Sequence, residues 1–214
     1  MTSTGGPFLI VSVVAGLAYG AVLQFRPSGA FRTVVKTAAV GSLALWAWTA
    51  GAPPLLTGAL ALSALGDAFL AGNPDRWLPP GLGSFLLAHV LYTALFLEIG
   101  GLAAVTHTPA RLVPGAIAAL VGVAMVVWLW RDLGSLRPAV AAYVLAIVAM
   151  VGAAFTLDPE RVAAMAGAVA FMASDGVLSW RLFKHKADRA PLADHAVWWL
   201  YWGGQAAIAT AFLL

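Results

Sequence analysis

Cysteine is absent from this chain, which excludes disulfides, thiolate metal sites and a cysteine nucleophile. Charge is nearly as scarce: 10% of the 214 residues are charged, where a soluble domain carries about 25%. Familiar catalytic signatures are missing as well. No GxSxG occurs, so a nucleophile elbow is excluded. No Walker or dinucleotide fingerprint is present, and no two histidines stand four residues apart as an HExxH zinc site requires. The net charge is only +3, and no basic patch is interleaved with exposed aromatics, so a nucleic-acid partner is not expected.

What remains is hydrophobic. Apolar residues make up 62% of the chain and the mean hydropathy is +0.90, the composition of a protein made for lipid. Eight apolar segments can be drawn, at 8–24, 34–51, 54–72, 81–100, 111–130, 138–156, 160–183 and 192–214. Each is near the roughly 20 residues a helix needs to cross a bilayer. Proline and glycine punctuate short connections between them: RPSG at 26–29, GAPP at 51–54, NPDRWLPP at 73–80, TPAR at 108–111 and LDPE at 157–160. The N-terminus has no basic region before its apolar run, which therefore reads as a first span rather than a cleaved signal. The expected fold class is all-α: a polytopic transmembrane helical bundle of about eight spans, residues 1–214 forming one domain. Gly100-Gly101 marks its midpoint and divides it into 1–100 and 101–214, the halves of a four-helix duplication if there is one. A multi-pass location in the plasma or inner membrane, if the source is bacterial, goes with this architecture.

The basic residues orient the spans. Arg26, Arg32, Lys36, Arg76, Arg131, Arg137, Arg181, Lys184, Lys186 and Arg189 fall at the connections of one side, and only Arg111 and Arg161 on the other. By the positive-inside rule both termini are non-cytoplasmic. Segments 3 and 7 then descend towards the cytoplasm and carry the two aspartates that stand inside apolar runs, Asp67 in LSALGDAFL and Asp175 in FMASDGVLS. Counting residues from the segment ends puts both roughly 7–12 Å inside the cytoplasmic boundary, and His89 at about 12 Å.

A carboxyl group at such a depth costs roughly 2.5–3.5 kcal/mol on insertion scales, so it must be paired, protonated or used. A structural reading pins each aspartate by Lys36, Ser or backbone. The functional reading uses both: two neighbouring carboxyls share one proton more easily than they hold two charges, leaving an acid and a base for hydrolysis. His89 shares a helix face with Phe85 and Tyr92, either as a satisfied core histidine or as a catalytic group. His and two Asp are also a metal-ligand set, yet with no His pair we expect neither metal nor other cofactor. Lys36 either snorkels to lipid phosphates or serves as a charge partner within the site. Tyr143 stands early in segment 6. Tyr201 and Gln205 share a face in WWLYWGGQ, where packing or a cavity wall is the alternative. His107, His185 and His195 lie at connections and read as solvated.

Several motifs resemble the YhhN family of integral-membrane proteins, which includes the TMEM86 lysoplasmalogenases. They are Gly66-Asp67 followed by Leu70, GLGSFLLAHVLY at 81–92, Tyr143 with Met150, FMASD at 171–175 with Leu178 and Phe183, and Tyr201 with Gln205. The similarity runs from about Lys36 to Gln205, with Thr37 standing where the family pattern has Pro. The resemblance implies eight transmembrane helices and hydrolysis of the vinyl-ether bond of a lysoplasmalogen, a single-chain ether lysophospholipid. The products would be a fatty aldehyde and glycerophosphocholine or glycerophosphoethanolamine. It carries the catalytic site onto Asp67 and Asp175, with Lys36, His89, Tyr92, Tyr201 and Gln205 as neighbours.

Two rivals come from other classes. One is a proton-coupled carrier of a small amphiphile with Asp67 and Asp175 as the relay, although carriers commonly bind at the midplane on broken helices. The other is a structural or chaperone-like membrane protein, which leaves the paired carboxyls without a purpose.

The basic asymmetry carries a direct test. Reporter fusions should place both termini outside the cytoplasm and the 181–191 connection inside. A cytoplasmic C-terminus would overturn the orientation and the depth argument built on it.

Overall fold

A computed structural model of the chain describes residues 6–72, 74–185 and 190–214, with the side chains at 74 and 75 left aside. Lys186 and Arg189, both counted in the basic asymmetry, lie outside the described residues, as does the N-terminal stretch 1–5. All regular structure among the described residues is helical. The helices are α1 (Gly6–Ala21), α2 (Ala30–Thr49), α3 (Pro54–Leu70), α4 (Pro74–Gly100), α5 (Ala103–His107), α6 (Leu112–Leu129), α7 (Arg137–Ala154), α8 (Val162–Phe183) and α9 (Pro191–Leu213). Each of the eight expected segments finds a helix, and the short α5 is an addition in the fourth connection. Among the described residues four stretches are long and apolar enough to cross a membrane: Arg76–Gly100, Pro109–Leu129, Gly134–Ala154 and Pro159–Phe183. Gly6–Ala21 and Pro54–Leu70 are apolar but shorter.

Two starts differ from the sequence expectation. Segment 2 was drawn from residue 34, but α2 begins at Ala30, so Lys36 lies within the helix rather than at its opening. Segment 4 was drawn from residue 81 because NPDRWLPP reads as a breaker, yet α4 begins at Pro74 and carries Pro79 and Pro80 inside it. The prolines stand sixth and seventh in the helix, past the four N-terminal N–H groups that lack helical partners, so each forfeits a backbone hydrogen bond. The added turns are held by Trp77, which stacks on Phe69 with ring centroids 5.5 Å apart and lies under the Arg76 guanidinium at 4.9 Å.

The helices gather into two compact units, residues up to Tyr92 together with Phe212–Leu214, and Thr93–Ala211. In the first unit α2 packs along both α1 and α3, around Ala39, Val40, Leu43, Leu56 and Leu60, all fully buried. The Ser12 hydroxyl of α1 donates to the Ala39 carbonyl of α2 at 2.5 Å. The turn into α3 is closed by Gly51 at φ +70°. Ala52 N–H reaches the Ala47 carbonyl at 3.0 Å and Gly51 N–H the Trp48 carbonyl at 3.1 Å, the paired bonds of a Schellman stop. Pro54 then opens α3 at its first position, where a missing N–H is harmless.

Glycine sets the register of α3 on α4. A Cβ on Gly58 would meet Leu91 at 2.9 Å, one on Gly66 would meet the Phe85 ring at 2.6 Å, and one on Gly81 would meet Leu70 at 2.8 Å. Positions 58, 66 and 70 of α3 thus face 91, 85 and 81 of α4, an antiparallel contact of the small-residue kind that lipid-embedded helices use.

The second unit follows the same rule. Gly122 of α6 accepts Val144 and Val148 of α7, and Gly115 lies against the Gly152 backbone. On α8 and α9, a Cβ at Gly167 would meet the Gly204 carbonyl at 2.6 Å, and a Cβ at Gly204 would meet the Gly167 carbonyl at 2.8 Å. The two arginines that stand against the basic asymmetry have local work to do here. Arg111 donates to the Thr156 and Leu157 carbonyls at 3.1 and 3.0 Å, just past the end of α7. Arg161 donates to the Ala211 carbonyl at 2.6 Å, near the end of α9. Helix C-termini leave carbonyls unpaired and carry partial negative charge, so a guanidinium is well placed at each.

The α8–α9 crossing separates two adjacent glycines. Gly204→Val should lower stability by about 1–3 kcal/mol as the backbones are forced apart. Gly203→Ala should be silent, because nothing lies within 4 Å of its added Cβ. Thermal unfolding in detergent reads both; equal effects would contradict the crossing.

Candidate functional site

Asp67 is 1% exposed, and its carboxylate meets the Lys36 ammonium at 3.1 Å. Of the readings open for Lys36, the structure has the charge partner: its Nζ is drawn into the first unit rather than out to the phosphates. The helix positions explain this. Lys36 lies nearly two turns inside α2, which packs closely on α3, and Asp67 lies one turn before the end of α3.

Tyr19 and Arg32 extend the cluster, and sequence reasoning missed Tyr19. The buried phenol on α1 lies beneath Lys36 Nζ at 6.0 Å from the ring centroid and beneath Arg32 Cζ at 5.6 Å. Arg32 Nη2 also donates to the Tyr19 hydroxyl at 3.2 Å. The available signal was a phenol in the otherwise apolar AGLAYG, close to the end of the first span. Two cations, one aromatic face and one carboxylate therefore share a small volume.

His89 and Tyr92 are both fully buried on α4, and Phe85 is nearly so, which matches the expected shared face. The register of α3 on α4 sets Asp67 level with residues near Phe85, whose ring fills the space left by Gly66. His89 follows one helical turn on, about 6 Å deeper along the axis. The sequence estimate put the two in one layer; within the unit they are one turn apart.

Asp175 belongs to the second unit. Tyr143 of α7 donates its hydroxyl to the Asp175 carboxylate at 2.6 Å, with the phenol buried and the aspartate half-buried. The sequence put Tyr143 early in segment 6, and the structure makes it a direct partner of Asp175. The preceding Ser174 is turned to α9, where its hydroxyl donates to the Val197 carbonyl at 2.8 Å. Tyr201 and Gln205 are buried on α9. Tyr201 meets Phe171 edge-on at 5.3 Å and Trp198 at 6.1 Å, so its ring is held between α8 and its own helix.

Arg181 and His185, read as a topology marker and a solvated histidine, have partners. Arg181 Nε donates to Asp194 at 3.0 Å and Nη1 to the His185 carbonyl at 2.9 Å. The His185 ring lies 4.4 Å from Trp180. His107 is exposed as expected.

Comparison with known proteins follows the same residues. The model of the YhhN family matches residues 31–212, which contain Lys36, Asp67, His89, Tyr143, Asp175, Tyr201 and Gln205. The chain is similar to a protein named lysoplasmalogenase from Mycobacterium bovis, with 34% identity over 227 residues, covering 95% of this chain and 82% of the relative. A lysoplasmalogenase from Mycobacterium tuberculosis matches with the same figures. Human lysoplasmalogenase TMEM86B is 33% identical over 195 residues, covering 86% of this chain and 76% of the relative. No solved structure matches.

The Lys36–Asp67 pair can be tested without reference to activity. Lys36→Met alone takes the ammonium away from a buried carboxylate and should cost about 3–5 kcal/mol of stability. Joined to Asp67→Leu, it should regain most of that loss, because both desolvation penalties are then removed. A single Lys36→Met protein that unfolds like the wild type in detergent would show that the pair is not part of the fold.

Proposed function

From the chain's membership of the YhhN family, to which it belongs across residues 31–212, we propose that it is a membrane-embedded hydrolase of lysoplasmalogens, with Asp67 and Asp175 as its catalytic carboxyls. The observation that carries the reading is the contrast between the two aspartates. Asp67 is the anion of an ion pair with Lys36, whereas Asp175 takes its hydrogen bond from a neutral phenol. One partner demands a charged carboxylate and the other does not. The relatives' name, lysoplasmalogenase, supplies the substrate class.

A vinyl ether has no carbonyl for a nucleophile to attack, so neither a nucleophile elbow nor an oxyanion hole is needed. Its β-carbon must instead accept a proton. Asp175 delivers that proton, and the electron pair of the C=C bond forms the new C–H bond, leaving an oxocarbenium ion. Asp67, held as carboxylate by Lys36, stabilises the cation and takes a proton from the water that adds to it. The resulting hemiacetal expels the glycerol oxygen with a proton and leaves a fatty aldehyde; one water is consumed overall. Lys36 and Tyr143 are positioning residues for their aspartates. His89, Tyr92, Tyr201 and Gln205 line the polar interiors of the two units and orient water and glycerol.

The membrane setting belongs to the same proposal. Eight helices cross, both termini lie outside the cytoplasm, and the shorter α1 and α3 are matched by tilt-free insertion and local thinning of the bilayer. The carrier alternative finds less support. Helices α3 and α8, which hold the aspartates, run unbroken over Pro54–Leu70 and Val162–Phe183, whereas carrier sites are typically built on discontinuous helices.

Purified protein in detergent, with no gradient present, should release aldehyde from a 1-alkenyl lysolipid. The 1-alkyl analogue should bind and survive, having no π-bond to protonate, and chelators should not slow the reaction. Asp67→Asn and Asp175→Asn should each lower kcat by about 10²–10⁴-fold, the range of a lost acid or base. The double variant should lose little more than either single, as groups that act as a unit do. A substantial solvent deuterium effect should accompany turnover. Comparable cleavage of a 1-acyl lysolipid would point to a hidden nucleophile and end this mechanism.

A further inference from the structure

Helices α6 and α8 of the second unit leave a groove of about 740 Å³ between them, floored by Val151 of α7. It runs along α6 from Pro114 to Trp128, about 21 Å. That exceeds the roughly 15 Å that the tails of one leaflet occupy. Its walls are almost wholly apolar, including Ile117, Met125 and Met172. Gly176 opens it beside Asp175: a Cβ there would already touch the Met125 methyl at 3.4 Å.

The end of the groove is chemically different. Trp128 and Trp180 close it. Lys184 Nζ lies 5.5 Å from the Trp128 ring centroid and 2.6 Å from the Asp132 carboxylate, both ends of that ion pair being partly exposed. Indoles with a basic residue are the usual furniture of headgroup depth. A cation and an anion side by side beneath an indole complement a zwitterion: ammonium for phosphate, carboxylate and ring face for a choline or ethanolamine nitrogen.

We propose that this groove is the tail site of a single-chain zwitterionic phospholipid, with Lys184, Asp132 and Trp128 selecting its headgroup. It rests on the hydrolase reading for the identity of the lipid. The arrangement passes the lipid along α8, so that the segment between phosphate and tail lies on the Asp175 side of the mouth.

The test reads binding rather than turnover. A 1-alkyl lysophosphatidylcholine with a photoreactive group in its chain is irradiated with the full protein in nanodiscs, and labelled peptides are mapped. Label should concentrate on α6 and α8 and be displaced by unlabelled 1-alkyl lysolipid. Val121→Trp and Val169→Trp, which fill the groove from side chains already exposed on it, should each reduce the label about tenfold. Asp132→Asn should raise labelling by an anionic lysophosphatidylglycerol probe to that of the choline probe. Equal labelling by a diacyl probe would mean that the groove holds bilayer lipid only, and would overturn the proposal. So would label spread evenly over the helices, or label unmoved by both Trp variants. Saturable, displaceable label in a wild type that cleaves no alkenyl lipid would uphold the groove and refute the hydrolase reading instead.

Discussion

A carboxylate among lipid-facing helices survives only with a partner, and Lys36 is the partner on which the first unit depends. The Nζ–Oδ1 contact of 3.1 Å joins α2 to α3 where the two helices pack along each other. On α3, Gly66 faces α4 and admits the Phe85 ring. His89 and Tyr92 then follow on the same buried face. The polar interior of this unit is therefore one arrangement, in which a charge pair and a run of glycines each presuppose the other.

The second unit meets the same requirement with a weaker donor. Tyr143 donates a hydrogen bond to Asp175 but brings no positive charge. A phenol satisfies the carboxyl in either protonation state by turning its hydroxyl, which a lysine ammonium cannot do. The difference between the two aspartates is thus built by their neighbours, not by their own sequence contexts, which are nearly alike: small residue, Asp, then Leu three positions on.

That bears on what could be read beforehand. Asp67 and Asp175 were legible because a carboxyl inside an apolar helix contradicts its surroundings. The helical segments were legible because hydropathy is a local property, and among the described residues four of them are long and apolar enough to cross a membrane. Partners were harder. Whether Lys36 reached Asp67 or the phosphates turned on the rotation of α2 against α3, a tertiary quantity. The extra turns of α4 were hidden by Pro79 and Pro80, whose helix-breaking signal is outweighed by the stacking of Trp77 on Phe69, a tertiary contact. Arg111 and Arg161 looked like exceptions to a topology rule. Their hydrogen bonds to carbonyls near the ends of α7 and α9 give them a separate physical reason to be there. Tyr19 was missed because a lone phenol in a span carries no mark until a cation lies over it.

Chemistry and setting constrain one another in the proposed reaction. Ester hydrolysis needs a nucleophile and a preorganised oxyanion site, both of which must be built from polar groups that helices in lipid can ill accommodate. Protonating an alkene needs only one acid, one base and access for water. Two aspartates on continuous helices satisfy that without breaking a backbone hydrogen bond, and the helices that carry them can stay straight. Apolar faces on α6 and α8 remain free to hold a hydrocarbon chain, while the two aspartates have polar partners in Lys36 and Tyr143. A bond lying just beneath the headgroup thus suits this architecture, because the lipid's own amphipathic division matches that of the helix that would receive it.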